Sequence, residues 1–162
     1  MVMLNPFFIN GEPVEPSTPT VETVDIVNPG FEDDAKANVR PTGWTTSAPV
    51  SQVFTDITYP YRGGYACRIG MNYSLSQTCA ITGGRTYVLT YYALGNETSN
   101  IRVKCRVAYS NGRAEAFNDT LNYFYYVPCR HELTVPDDAQ TVTFEFTPEG
   151  GMMLDDVSCV LA

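Results

Sequence analysis

The sequence predicts an all-β protein, an antiparallel β-sandwich of the jelly-roll type preceded by an extended N-terminal arm. Three observations support this prediction. Short apolar-rich stretches separated by Gly, Pro and Asn turns fill the chain from residue 24 onward, as in sandwiches and jelly rolls. No stretch has the apolar period of an amphipathic helix. The length of 162 residues suits one domain with a core and is short for two.

The predicted strands follow one another along the chain. They are VDIVN (24–28), SQVFTDITY (51–59), YACRIGM (65–71), SLSQTCAIT (74–82), RTYVLTYYAL (85–94), NIRVKCRVAYS (100–110), TLNYFYYV (120–127), RHELTV (130–135), QTVTFEFT (140–147) and MMLDDVSCVL (152–161). In IRVKCRV apolar and basic residues alternate strictly, and TVTFEF alternates as well, which is typical of half-buried antiparallel strands. The stretch GRAEAFND (112–119) is expected to hold one helical turn at most.

Residues 1–24 differ in composition from residues 25–162, which form the predicted sandwich domain. Prolines recur through the first region, so it is expected to be extended and polyproline-like, without a face that could join a core. We expect this arm to dock on a neighbouring subunit; the alternative for such a composition is an unstructured tail. The apolar tip that would dock consists of Leu4, Phe7, Phe8 and Ile9.

Charge and hydropathy weigh against two classes of partner. The formal net charge is −8, from ten basic and eighteen acidic residues, which opposes binding to nucleic-acid phosphates and to anionic membrane surfaces. No apolar run reaches the roughly 18 residues of a membrane-spanning helix. The first apolar stretch has no Lys or Arg before it and is interrupted by Pro6, so it does not resemble a secretory signal.

The five cysteines are predicted to be buried free thiols rather than a disulfide framework. Their number is odd and none forms a CxxC pair, which excludes zinc-ribbon and thioredoxin-like motifs. Cys79 is in phase with Leu75 and Ile81, and Cys105 is in phase with Val103, so both thiols fall on the apolar face of a strand. Free thiols favour synthesis in a reducing cytoplasm.

Catalytic constellations are weak, and we predict that the protein is not an enzyme. His131 is the single histidine, and it is expected to face solvent on a strand rather than to serve as the base of a nucleophile. No spacing singles out a pair of carboxylates across a cleft. The sequence also lacks a Gly-rich phosphate loop followed by a helix.

Aromatic residues are the more informative group, with eleven Tyr, eight Phe and one Trp. Four adjacent rings in NYFYYV would alternate between the faces of a strand, so either Tyr123 and Tyr125 or Phe124 and Tyr126 should point away from the core. Exposed rings suit stacking on sugars or packing against another protein; the alternative is that they line the core. The candidate ligand-binding rings are Trp44, Tyr92, Tyr123 and Tyr125.

The order of several short motifs resembles a known family. These motifs are NPGFEDD, PTGW, YRGGYACRIG, SQTCAITGGRTYVLTYYA, IRVKCRVAYSNG, ELTVPDDAQTVTFEF and MMLDDVSCVLA, which together span roughly residues 26–162. In this order they resemble the carbohydrate-binding modules of families 4 and 9, within the galactose-binding-like jelly rolls. The resemblance implies a non-catalytic module with a carbohydrate ligand.

The resemblance also implies a structural calcium ion where the first and last strands meet. Its ligands would be Glu32 of NPGFE and Asp155 or Asp156 of LDDVS, with backbone carbonyls near Asn28 and around 63–64. Calcium prefers oxygen ligands of this kind, and the ion would tie the two ends of the domain together. The alternative is that the aspartates are solvated and hydrogen-bonded at a strand edge.

Two functions follow from these observations. In the first, the protein is a structural and interaction protein on a bacteriophage virion surface, a decoration, cement or fibre protein synthesised in the host cytoplasm. Its arm would bind capsid subunits, tail subunits or further copies of this chain, and surface glycans could be secondary ligands. In the second, it is an extracellular carbohydrate-binding module that works with a polysaccharide-degrading enzyme.

Overall fold

A computed structural model describes residues 22–96 and 100–162, together with two short strands at 8–9 and 12–13. The strands in chain order are β1 Phe8–Ile9, β2 Glu12–Pro13, β3 Val53–Asp56, β4 Ala66–Ile69, β5 Leu75–Ala80, β6 Thr86–Gly95, β7 Ile101–Tyr109, β8 Ala114–Leu121, β9 Val127–Thr134, β10 Thr141–Pro148 and β11 Met152–Leu161. This part of the chain contains strands and turns but no helix. The predicted all-β fold class is confirmed.

Two antiparallel sheets form the sandwich. Sheet I has four strands in the order β5-β10-β7-β8, and sheet II has five in the order β3-β4-β11-β6-β9. The short strands β1 and β2 pair with each other in a separate antiparallel ladder. A search of the described residues finds no helix long and apolar enough to cross a membrane.

The core lies between the sheets and is built from alternate residues of each strand. Sheet I contributes Val103, Cys105 and Val107 from β7 and Phe144 and Phe146 from β10, all fully buried. Strand β6 of sheet II contributes Tyr87, Leu89, Tyr91 and Ala93, which also lie in this cluster. Burial of each large apolar side chain stabilises the fold by about 1.5–3 kcal/mol.

The chain enters the sandwich beside its own last strand. The Val24 amide donates to the Cys159 carbonyl at 2.9 Å, and the Leu161 amide donates to the Glu22 carbonyl at 2.7 Å. Thr23 forms an antiparallel bridge with Val160. Residues 22–24 are therefore held on β11, and the division between an arm at 1–24 and a domain at 25–162 stays a prediction.

The predicted docking tip of the arm falls largely outside the described residues. Leu4 and Phe7 are not described, and for Phe8 and Ile9 only the placement in β1 is known. Docking of the arm on another subunit therefore stays a prediction.

Two strand assignments made from sequence are wrong, and one strand was missed. VDIVN (24–28) forms no strand, since the only bridge at this point joins the preceding Thr23 to Val160. Tyr123 to Tyr126 form a loop between β8 and β9. The stretch expected to hold one helical turn belongs to β8, an edge strand that pairs with β7 alone. Only alternate side chains of an edge strand need to reach the core, so Phe117 and Leu121 suffice to anchor it.

All five cysteines are buried free thiols, as the sequence predicted. Burial raises the pKa of the Cys79 thiol to about 11 and the pKa values of the Cys129 and Cys159 thiols to about 12. Burial raises the pKa values of the Cys67 and Cys105 thiols further still. Because the thiolate is the reactive species, these cysteines are small apolar core residues rather than reactive groups.

Candidate functional site

Asp155 is a completely buried carboxylate that holds a neighbouring loop by its backbone. Its Oδ2 atom accepts hydrogen bonds from the Tyr61 amide at 2.8 Å and the Arg62 amide at 3.2 Å. Its Oδ1 atom accepts from the Asp156 amide at 2.8 Å. The adjacent Asp156 has a φ of 48°, and the register of β11 against β6 shifts between Asp155 and Ser158. This bulge lets two successive carboxylates leave one strand on the same side.

Glu32 holds the other end of the same loop, residues 61–65, which we call the clasp loop. Its Oε1 atom accepts from the Gly64 and Tyr65 amides, each at 2.9 Å. Gly63 has a φ of 65°, and a Cβ atom there would lie 2.3 Å from Glu32 Oε1. A side chain at this position would therefore displace the carboxylate. Arg62 completes the loop through an ion pair with Asp156 at 3.4 Å.

Burial raises the pKa of the Asp155 carboxyl from its ordinary value to about 6. Hydrogen bonds from the amides of Arg62, Asp156 and Tyr61 oppose this rise, because they favour the charged form. The hydrogen bonds from these amides thus offset part, but not all, of the free energy that the carboxylate loses when burial removes its water.

The three carboxylates named from the sequence surround Gly30. A Cβ atom on Gly30 would lie 3.5 Å from Asp156 Oδ1, 3.7 Å from Asp155 Oδ1 and 3.9 Å from Glu32 Cγ. The Glu32 carboxylate, however, is bound by loop amides. Within residues 22–96 and 100–162, no three His, Cys, Asp or Glu side chains are grouped so that they could hold a metal ion. The predicted calcium site, with Glu32, with Asp155 or Asp156 and with backbone carbonyls as ligands, therefore stays a prediction.

The clasp loop places an aromatic ring on the outer face of sheet II. Tyr61 stacks on Tyr92 of β6, with ring centroids 3.9 Å apart and an interplanar angle of 13°. It also meets Tyr126 at 5.3 Å in a tilted arrangement. The Tyr126 hydroxyl donates to the Tyr59 carbonyl. The three rings therefore join the loop that carries Tyr61 and the loop that carries Tyr126 to Tyr92 on β6.

Beneath these rings lies a second, smaller apolar cluster. It consists of Ala66, Leu94 and Met153, with Tyr126 packed against it. Their strand neighbours Cys67 and Leu154 belong to the main core, so the second cluster is on the opposite face of sheet II. The outer face of this sheet is therefore covered by side chains from loops.

An exposed aromatic cavity opens beside that cluster. It encloses about 230 Å³, and Phe124 and Tyr59 at its wall have exposed fractions of 82% and 59%. A polar depression of about 440 Å³ adjoins it and shares Asn96 as a wall residue. We call the first cavity the aromatic groove; its lining residues are Tyr59, Leu94, Gly95, Asn96, Tyr123 and Phe124.

The structure separates the four rings predicted to bind a ligand. Tyr123 is exposed and lines the aromatic groove, and Tyr125 is exposed in the same loop. Tyr92 is partly covered by Tyr61. Trp44 is only 8% exposed, and its Nε1 donates to the Asn28 carbonyl at 3.1 Å. Trp44 therefore belongs to the core, which corrects the expectation that it faces a ligand.

His131 does not face solvent, contrary to the sequence-based expectation. Its ring stacks on Phe117 at 4.1 Å, and its Nε2 lies 2.8 Å from Asp119 Oδ2. The Tyr91 hydroxyl donates to the same oxygen. Asp119 is on β8 and the other two polar groups are on β9 and β6, so this network joins the edges of the two sheets.

Comparison with known proteins gives the class of fold. No protein-family model matches the chain, and no curated protein matches it. The chain is similar to solved carbohydrate-binding modules, which confirms the resemblance noted in the sequence at the level of the fold. The sandwich described above thus has the jelly-roll fold of those modules.

Three solved structures illustrate the similarity. A family 61 module, TmCBM61 in complex with β-1,4-galactotriose, has a TM-score of 0.66 at 15% identity, over 84% of this chain and 97% of that chain. The CBM22-1 xylan-binding domain of Paenibacillus barcinonensis Xyn10C has a TM-score of 0.63 at 13% identity, over 82% and 90%. The enzymatically active domain of bacteriophage CBA120 tailspike protein 4 has a TM-score of 0.54 at 17% identity, over 75% of this chain and 20% of that chain.

Proposed function

We propose that the protein is a non-catalytic glycan-binding module whose ligand surface is the aromatic groove. The observation that carries the proposal is the exposed fraction of 82% for Phe124, next to the exposed Tyr59 and Tyr123. Rings left in water at a cavity wall are suited to stack on the apolar faces of sugars. Asn96 at the same wall supplies an amide that can bond sugar hydroxyls.

The ligand class is supported by the similar structures, since one is in complex with β-1,4-galactotriose and another is a xylan-binding domain. The carboxylates of the candidate site support a non-catalytic role. Asp155 and Glu32 accept backbone amides rather than facing each other across a cleft, as a glycosidase pair would. His131 is paired with Asp119 and stacked on Phe117.

Binding can be tested by affinity electrophoresis in gels that contain β-1,4-galactan or xylan, preceded by a glycan array. We expect retention of the wild-type protein, and at least about tenfold weaker binding for Phe124→Ala and Tyr59→Ala. Val160→Ala is the matched control, because Val160 is exposed but does not line the groove. Absence of retention on every glycan, or equal loss in the control, would contradict the proposal.

We also propose that this module is carried on a bacteriophage virion, as a decoration, cement or fibre protein attached by residues 1–24. The similarity to a domain of a phage tailspike protein supports this setting. The five buried free thiols support synthesis in a reducing host cytoplasm. Capsid or tail subunits, or further copies of this chain, would then be its protein partners.

Cryo-electron microscopy of purified particles tests the virion proposal. We expect density for the sandwich on the particle surface, with residues 1–24 in contact with a neighbouring subunit. Particles that carry copies of this chain without such contact would contradict the role of the arm.

A module of a polysaccharide-degrading enzyme is the second candidate, and the similarity to a domain of Xyn10C favours it. Genes for capsid and tail proteins beside this one would support the virion, whereas glycoside hydrolase genes would support the second candidate.

A further inference from the structure

The outer face of sheet I carries three cations in a row on one strand. Arg102, Lys104 and Arg106 alternate with the buried Val103 and Cys105 along β7, so their side chains share the solvent face. All three are exposed. They are three of the ten Lys and Arg residues of a chain whose net charge is −8.

The three cations form no ion pair in the described part of the chain, although two carboxylates lie beside them. Between residues in the described ranges 22–96 and 100–162, the ion pairs join Arg62 to Asp156 and His131 to Asp119, and none involves this row. The register places Glu145 opposite Arg106, and the amide of the exposed Glu149 donates to the Arg102 carbonyl at 2.8 Å. Within those ranges neither carboxylate forms an ion pair with the row. The three cations exceed these two carboxylates by one positive charge, and none of the three guanidinium or ammonium groups is held in an ion pair within the described residues, so they are available to an anion.

The residues around the row are mostly polar. Hydroxyls flank it on one side, where Thr143 of β10 bonds Thr78 of β5 at 2.7 Å and Thr147 of β10 bonds Ser74, which precedes β5, at 2.6 Å. On the other side, β8 places Asn118 opposite Lys104. None of the exposed large apolar side chains of the described residues lies on β5, β7, β8 or β10.

From this arrangement we infer a second binding surface, which takes an acidic polysaccharide bearing carboxylate or sulfate groups along its chain. Guanidinium groups pair with carboxylate and sulfate oxygens, and the flanking hydroxyls and amide suit sugar hydroxyls. A protein partner would need buried aromatic or aliphatic anchors that this face lacks. Nucleic acid would need aromatic rings for its bases and a more positive chain.

The surface is independent of the aromatic groove, since the two lie on the outer faces of different sheets. The inference therefore extends the proposed function without resting on it. It predicts binding that weakens as ionic strength rises, because exposed charge contacts are screened by salt. Binding at the aromatic groove is expected to depend on salt far less.

The experiment uses the full chain and two acidic probes with neutral counterparts. The acidic probes are polygalacturonate and dextran sulfate; the neutral counterparts are methyl-esterified polygalacturonate and dextran. By affinity electrophoresis, we expect retention on at least one acidic probe and none on its neutral counterpart. Absence of binding to both acidic probes, or equal binding to the neutral ones, would overturn the inference.

Two triple variants identify the surface. Replacing Arg102, Lys104 and Arg106 with Ala is expected to weaken binding to the acidic probe at least about tenfold. The control replaces the exposed residues Lys36, Arg85 and Arg130 with Ala, which removes the same two Arg and one Lys elsewhere. Equal loss in both variants would indicate a response to net charge alone and would overturn the inference.

Phe124→Ala distinguishes the two surfaces. This variant is expected to lose the neutral glycans of the proposed function and to retain the acidic probe. If it lost both, a single ligand surface at the groove would replace the second one. Thermal unfolding of every variant shows whether a loss of binding reflects a loss of the fold.

Discussion

The outer faces of the two sheets differ in what covers them. On sheet II, Leu94 and Met153 form a second apolar cluster beneath Tyr126, and the clasp loop packs Tyr61 beside it. On sheet I, the corresponding face is open and carries cations such as Lys104. The buried side chains on the covered outer face of sheet II therefore contribute to folding, whereas the exposed cations on the open outer face of sheet I contribute little to it.

The largest expected effect is on the covered face, at Asp155. Asp155→Ala would leave the amides of Tyr61, Arg62 and Asp156 without their acceptor, so we expect the free energy of unfolding to fall by about 3–5 kcal/mol. Urea unfolding measures this change. Asp33→Ala is the control, since Asp33 is exposed, and should cost less than about 0.5 kcal/mol. Similar costs for the two variants would mean that the clasp loop does not depend on Asp155.

A direct comparison of the faces comes from Met153 and Lys104. Met153 is 1% exposed in the second apolar cluster, so Met153→Ala should lower the free energy of unfolding by about 2–3 kcal/mol. Lys104→Ala, on the open face, should change it by less than about 0.5 kcal/mol. The same urea titration measures both. If Lys104→Ala cost as much as Met153→Ala, the open face would be structural.

The burial of Asp155 on the covered face should also make stability depend on pH. The pKa of folded Asp155 is raised to about 6 from an ordinary 3.8, so the folded chain binds this proton more tightly than the unfolded chain. Its contribution to stability is therefore present at low pH and lost as pH rises through about 6. Between about pH 7 and about pH 5, the wild type should gain about 1.3 kcal/mol relative to Asp155→Asn.

Urea unfolding of both proteins across that range, in the presence of chelator, provides the measurement. Other carboxyl groups are common to the two proteins and cancel in the difference. Chelator is needed because bound calcium would favour the charged carboxylate and reverse the sign. Parallel pH profiles would show that the Asp155 carboxyl titrates at its ordinary pKa.

Calcium has the smallest expected effect, because loop amides already bind the carboxylates of Glu32 and Asp155. The resemblance to calcium-containing modules predicts that a chelator lowers the melting temperature by a few degrees, since the ion would bind only the folded chain. Glu32→Gln should remove that response. A melting curve unchanged by chelator and by added calcium would exclude a structural calcium ion.

Alternation was enough to predict most of the strands. In β7 and β10 the period-two pattern is strong, and the strands lie where the sequence indicated. It failed at β8, whose Ala, Glu, Asn and Asp residues have low strand propensity and whose inward side chains are few. At Tyr123 to Tyr126 the sequence predicted a strand, because aromatic residues are typical of strands, but these residues form a loop.

The candidate site was less accessible to sequence reasoning. The family resemblance implied that Glu32 and Asp155 lie close together, and both lie near Gly30. Nothing in the sequence showed that their partners would be the amides of residues 61–65, since any residue supplies an amide. The alternation of basic and apolar residues on β7 was visible in the sequence. Which residues lie beside the basic row could be known only from the strands that pair with β7.

The burial of all five native thiols makes the two faces separately addressable by thiol chemistry. A single cysteine introduced at the exposed Thr78 would be the only readily alkylated thiol on sheet I, because maleimides react with accessible thiolates. A cysteine in place of the exposed Tyr125 would label the loop that carries the aromatic groove residues Tyr123 and Phe124. Fluorophores at these two positions would report which face each glycan occupies, without removal of any native cysteine.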